Sequence, residues 1–105
     1  MARMKLGDKI VAVLTVKQLA DKCERTTAYI HKMEQRGILP ASNLRGPDRK
    51  FKDGSTGPGD RLYTEELSES IAEVVKGFSA GKAVTEKQKQ ELRNAFMAER
   101  IKYNV

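Results

Sequence analysis

Two helix-start signals that stand only eleven residues apart constrain this chain more than any other feature of its sequence. Thr15-Val-Lys-Gln18 is a capping box, in which a Thr hydroxyl and a Gln side chain satisfy amides that have no partner in a first helical turn. Thr26 is a second N-cap residue, and Gly37 and Pro40 end the helix that follows it. The spacing therefore predicts two short helices joined by a tight turn.

Basic residues are concentrated in the first part of the chain. Residues 1–63 contain thirteen Lys/Arg and seven Asp/Glu, whereas residues 64–105 contain seven of each, so the whole net charge of +6 lies in the first part. A confined basic excess favours a polyanionic partner, because each neutralised phosphate releases condensed counterions. The alternative is a charged surface without a specific partner.

Both predicted helices carry apolar residues on one side only. The inward positions are Val16, Leu19, Ala20, Cys23, Ile30 and Met33. Ala20 is small where the two helices would cross, and this geometry leaves the other side of the second helix free to enter a DNA major groove. We expect base contacts from its outward residues and a phosphate at its capped N-terminus. These predicted contact residues are Thr26, Thr27, Ala28, His31, Lys32 and Gln35.

Strand and turn signals surround the helix pair. Residues 9–14 are rich in β-branched side chains and predict a strand that leads into the first helix. Residues 41–60 are polar and rich in Gly and Pro, which predicts a hairpin with Leu62 and Tyr63 in its return strand. Thr64 then caps a third helix with apolar residues at helical spacing, and Thr85 begins a last helix that ends near Lys102.

These elements predict a mainly α fold with a small β wing, that is, a winged helix-turn-helix followed by a C-terminal helix. Residues 1–78 would form the DNA-binding domain, and residues 79–105 a linker and a helix for docking or oligomerisation. The last helix is polar in its first two turns, so we expect it to need its own core or another subunit for stability.

A cluster of cations lies in the predicted hairpin. Its members are Arg45, Arg49, Lys50 and Lys52. Flexible cations neutralise phosphates without a rigid fork, so we expect them to contact the DNA backbone, with a solvated loop as the alternative. Arg61 either clamps a phosphate or pairs with Asp60 or Glu65.

Several classes of protein are not expected from this sequence. The longest apolar run, Ile10–Leu14, is far too short to span a bilayer, so no membrane partner is expected. The single cysteine, Cys23, fits a core position and cannot form an internal disulfide. We therefore expect the protein in the reducing cytoplasm of a bacterial or phage-infected cell. His31 is the only histidine and no acid and base are paired, so we expect no metal site, no cofactor and no enzymatic activity.

Several motifs of residues 15–75 occur together in one order. They are Thr15-Val-Lys-Gln-Leu-Ala20, Thr26, Ile30, Glu34, Gly37-Ile-Leu-Pro40 and Arg61-Leu-Tyr-Thr-Glu-Glu-Leu67. With these motifs the sequence resembles the winged-helix heads of MerR-type regulators and the related domains of phage excisionases and terminase small subunits. The resemblance implies wing contacts with the DNA backbone or minor groove. These heads usually have a small residue at the position of Glu24 and an apolar one at that of Arg25, so the turn should differ or send Arg25 outward.

The expected function is sequence-specific binding of double-stranded DNA by a homodimer, in transcriptional control. The alternative is an accessory protein of phage DNA packaging or excision, which recognises a start site and recruits a larger phage enzyme. A transcription enzyme is a further candidate partner, and an adaptor that no longer binds DNA is the third hypothesis.

Overall fold

The computed structural model of the protein describes residues 2–57, 59–79 and 81–105. Two strands, two short helices, four strands and two longer helices follow one another along this part of the chain. The elements are β1 (Ala2–Leu6), β2 (Lys9–Thr15), α1 (Val16–Lys22), α2 (Thr27–Gln35), β3 (Leu44–Arg45), β4 (Arg49–Lys50), β5 (Thr56–Gly57), β6 (Arg61–Thr64), α3 (Glu65–Lys76) and α4 (Glu86–Tyr103).

An antiparallel sheet with strand order β1-β2-β6-β3 forms the framework. Its first two strands form a hairpin whose two-residue loop is Gly7 and Asp8, with Leu6 opposite Lys9. Gly7 has a φ of 64°, which glycine tolerates and which the first position of a tight hairpin turn of this type requires. In the centre, Leu14 of β2 lies opposite Tyr63 of β6, and both are buried.

The predicted fold class is wrong. Of the residues that the structure describes, 45% lie in helices and 22% in strands, and the strands include a four-stranded sheet that begins at Ala2. The fold is therefore mixed α and β, not a mainly helical winged helix-turn-helix with a small wing. The reason is twofold: the β1–β2 hairpin was not predicted, and β6 pairs with β2 and β3 instead of closing a separate hairpin. Only β4 and β5 form the isolated hairpin of the 41–60 segment.

All four predicted N-caps are confirmed. The hydroxyls of Thr15, Thr26, Thr64 and Thr85 each accept a hydrogen bond from the backbone amide three residues later, and the first and last belong to complete capping boxes. These caps are local in sequence, which is why the helix starts could be read from the sequence. Gly37, at a φ of 73°, follows the end of α2 as predicted.

One core joins the helices to the sheet. Leu19, Ala20, Cys23, Ile30 and Met33, which were predicted to face inward, are all buried in it. Val16, which had the same prediction, is only partly buried and packs against this core. Burial also raises the pKa of the Cys23 thiol to about 11, so this side chain is a neutral core residue at ordinary pH.

α4 packs on the same core from its middle onward. Leu92 and Phe96 are buried, and the Phe96 ring meets the Tyr63 ring edge-on, with centroids 6.3 Å apart. Glu99 is buried as well, and its carboxylate accepts a hydrogen bond from the hydroxyl of Thr64, the N-cap of α3. The last helix thus contacts the sheet and α3 of its own chain; the division at residue 78 and a role in oligomerisation stay predictions.

Candidate nucleic-acid interface

α2 buries one side and exposes the other. Ile30 is fully buried and Met33 is 4% exposed, so these two residues fix the helix on the core. The predicted base-contacting residues lie on the remaining surface: Thr27 is partly exposed, and Ala28, His31, Lys32 and Gln35 are exposed. The exposed side of α2 is polar and open along the nine residues of the helix.

The turn between α1 and α2 is held against α3. Glu24 has a φ of 58°, a left-handed conformation in a position that usually favours a small residue. Arg25 then reaches over the end of α3, where its Nη2 donates a hydrogen bond of 3.0 Å to the carbonyl of Phe78. Its guanidinium also lies 5.4 Å from the centre of the Tyr29 ring. Arg25 is therefore half-buried and ties the α1–α2 turn to the end of α3, instead of pointing outward.

A cleft of about 580 Å³ separates the start of α1 and the first turns of α2 from β3, β4 and β6. Five predicted contact residues line it, although they come from three segments of the sequence: Thr27, His31, Arg45, Arg49 and Arg61. Thr15, Val16, Lys17, Gly59 and Asp60 complete its walls. We call this the basic cleft, because its lining contains one carboxylate and four Lys or Arg side chains.

Arg61 is held by an acid that was not predicted as its partner. Its Nη2 lies 2.8 Å from Oε1 of Glu34 in α2, so its partner is neither Asp60 nor Glu65. The Glu34 side chain is only 17% exposed, and its second oxygen, Nε of Arg61 and the hydroxyl of Tyr63 are buried without a hydrogen bond within the described residues. Burial and the nearby Glu34 carboxylate raise the pKa of Tyr63 to about 12. This polar group ties the inner edge of α2 to β6.

The hairpin cations fall into two groups. Arg49 pairs with Asp60, and Nη1 of Arg45 donates a hydrogen bond of 3.3 Å to the carbonyl of Gly59, so these two arginines lie against the cleft wall. Lys50 and Lys52 are exposed and do not line the cleft. The segment thus has two arginines held against the cleft wall and two exposed lysines nearer the tip of the hairpin.

The remaining predicted residues do not enter the cleft. Thr26 accepts a hydrogen bond from the amide of Tyr29 and is a cap, while Ala28, Lys32 and Gln35 lie elsewhere on the exposed surface of α2. Lys17, which was not predicted as a contact residue, lines the cleft from α1. Its sequence signal is its position inside the capping box, two residues before Leu19 and so on the other side of the helix from that residue.

Comparisons with known proteins add no family to these observations. No family model, curated protein or solved structure matches the chain. The resemblance to MerR-type heads therefore stays a prediction. In the described part of the chain, no group of three or more His, Cys, Asp or Glu side chains is arranged to hold a metal ion. Nor does any helix there combine the length and the apolar character needed to cross a membrane.

Proposed function

We propose that the protein is a sequence-specific double-stranded DNA-binding protein without enzymatic activity. The observation that carries the proposal is the exposed polar side of α2 beside the basic cleft. A helix fits the major groove, where side-chain donors and acceptors can distinguish all four base pairs. Cations at the edge of that helix would hold the DNA backbone and so set its position in the groove.

α2 is rigid enough for this role. Its inner side is buried through Ile30 and Met33, its start is capped by Thr26, and Glu34 ties it to β6. A contact surface held in this way loses little conformational entropy on binding, which favours specificity over non-specific adhesion. Lys32 and Gln35 are the outward side chains best suited to hydrogen-bond base edges.

The experiment begins with selection of duplexes from a random-sequence pool, followed by fluorescence anisotropy with the selected and a scrambled duplex. Affinity should fall steeply between about 50 and 200 mM salt. Lys32→Ala should weaken the selected duplex about five-fold or more and the scrambled duplex less. Lys87→Ala removes the same charge from an exposed position on α4 and is the matched control.

Two results would count against the proposal. One is a selection that enriches no sequence together with affinity that does not depend on salt; this is the behaviour expected of an adaptor that no longer binds DNA. The other is an equal loss of affinity for both duplexes in Lys32→Ala and Lys87→Ala.

A double Lys50→Ala/Lys52→Ala variant should bind both duplexes more weakly and reduce the slope of log K against log salt by up to about 1.8.

We also propose that the protein acts as a homodimer in transcriptional control. The nine residues of α2 extend over about 14 Å, which reaches only about four base pairs, so one helix reads too little sequence for strong discrimination. Met97 and Ile101 are 50% and 76% exposed one turn apart on α4, and we place the second copy there. Ile101→Lys should then give a monomer by sedimentation.

The same apolar pair supports the second candidate function, an accessory protein of phage DNA packaging or excision. In that case α4 would recruit a larger enzyme after α2 has recognised the start site. A chain that sediments as a monomer, and in which Ile101→Lys changes no assembly, would favour this alternative over the dimer.

A further inference from the structure

We infer that the basic cleft binds one phosphate group of the nucleic-acid backbone between Arg45 and Arg61. The inference rests on the proposed function and adds the chemical group that the cleft takes and the side chains that hold it. The cleft holds two like charges in an arrangement that is unfavourable for the fold itself.

Arg45 and Arg61 lie directly opposite each other on the paired strands β3 and β6. Residues opposite each other on antiparallel strands point to the same side of the sheet, and like charges in such a pair repel. Arg61 is compensated by Glu34 at 2.8 Å. For Arg45, within the described residues, no carboxylate lies at salt-bridge distance, and its only hydrogen bond is to the neutral carbonyl of Gly59. An anion between the two guanidinium groups removes this repulsion.

The two arginines have hydrogen-bond donors to spare. A guanidinium has five N–H donors, and only Nη2 of Arg61 contacts a carboxylate. Because Glu34 is 17% exposed and fixes that nitrogen, the plane of the guanidinium is held before any ligand arrives. A fixed guanidinium suits phosphate, which it can bind with two parallel hydrogen bonds.

The other walls of the cleft fit a backbone segment better than a lone ion. Lys17 lines it from α1, and Thr27 and His31 line it from α2. The volume of about 580 Å³ lies within the range of ordinary ligand sites and leaves room for the groups on both sides of a phosphodiester. Since α2 forms one wall, a phosphate in the cleft would place the exposed side of α2 at the edge of the adjoining groove.

The first test titrates inorganic phosphate into the ¹⁵N-labelled full chain at low ionic strength. We expect saturable shifts of the backbone amides of Arg45, Arg61 and Thr27 and of the Arg61 side-chain Nε–H, with Lys50 unmoved. Arg45→Gln should abolish the saturable shifts, whereas Lys50→Gln, which removes the same charge from the exposed hairpin, should preserve them. Scattered shifts that do not saturate would overturn the inference.

The second test uses the selected duplex with single methylphosphonate substitutions, each of which removes one phosphate charge. Substitution at one position should reduce the affinity of the wild type about tenfold. Arg45→Gln should reduce affinity for the unsubstituted duplex by the same factor and show no further loss with the substituted one. The affinity of Lys50→Gln should still fall when that phosphate is substituted.

The outcomes separate the two proposals. Duplex binding in which Arg45→Gln and Lys50→Gln behave alike at every position would overturn the cleft site and leave the proposed function standing. Saturable phosphate binding without duplex binding would show a site for a free phosphate; the backbone assignment and the proposed function would then both fall.

Discussion

Removal of the buried Glu99 carboxylate gives the sharpest test of how α4 is joined to the rest of the fold. Glu99 is 5% exposed and accepts three hydrogen bonds: from the Thr64 amide at 3.2 Å, the Thr64 hydroxyl at 2.7 Å and Nδ2 of Asn43 at 3.0 Å. Thr64 also caps α3, since its hydroxyl accepts from the Leu67 amide. One carboxylate on α4 thus holds the start of α3 and the segment that leads into β3.

The magnitude follows from the donors that lose their partner. In Glu99→Ala the two Thr64 donors remain buried without this acceptor, and each unsatisfied buried group costs about 1–3 kcal/mol. Asn43 is less affected because its Nδ2 also donates to the Phe96 carbonyl at 3.0 Å. We therefore expect Glu99→Ala to lower the free energy of unfolding by about 4 kcal/mol, and Glu99→Gln, which retains one acceptor oxygen, by about 1–2 kcal/mol.

Urea unfolding followed by circular dichroism measures both values. Glu91→Ala, at an exposed position on the same helix, is the control and should change stability by less than about 0.5 kcal/mol. If Glu99→Ala cannot be folded, Glu99→Gln remains measurable. A loss below 1 kcal/mol for Glu99→Ala, or no difference between Glu99→Ala and Glu91→Ala, would refute this reasoning.

Two further predictions concern the loop beside the cleft and the core. A Cβ at Gly59 would lie 2.6 Å from the Pro47 carbonyl oxygen and nearer still to the Gly46 carbonyl. Because of this overlap, Gly59→Ala should lower the free energy of unfolding by about 1–3 kcal/mol and weaken duplex binding. Gly46→Ala, whose nearest contact would be 3.8 Å, should be close to neutral in the same urea and anisotropy measurements, and equal effects would refute the packing argument. The pKa of Cys23 is raised from 9.0 to about 11 by burial, so its neutral thiol stabilises the fold fully below pH 9, and this contribution is lost as pH rises to about 11. The urea midpoint should therefore fall over that pH range by more in the wild type than in Cys23→Ala. A disulfide reagent at pH 8 should label Cys23 only when the protein unfolds. Parallel pH profiles of the two proteins, or rapid labelling of the folded protein, would contradict this expectation.

Features that depend on neighbours in sequence were predictable. The four N-caps and the inward residues of α1 and α2 follow from spacings of three and four residues, and they agree with the structure. The β1–β2 hairpin carried a signal as well, since Gly7 and Asp8 separate two runs with apolar residues and can form a two-residue turn. That signal was overlooked, and the fold class was wrong mainly for this reason.

Features that depend on distant parts of the chain could not be predicted. Glu34 and Arg61 meet only because β6 lies beside α2, and no periodicity links two residues that far apart. The partners of β6, the contact of Arg25 with the end of α3 and the place of Lys17 in the cleft have the same origin. Each side chain was visible in the sequence, but its neighbours were set by tertiary packing.

The most direct test of the central claim is an amide chemical-shift map of the full ¹⁵N-labelled chain with the selected duplex. We predict that the largest changes fall on the exposed side of α2, at Ala28, His31, Lys32 and Gln35, and that the exposed residues in the first half of α4 stay unchanged. Changes confined to α4 or to the β1–β2 hairpin, with α2 unaffected, would contradict the account.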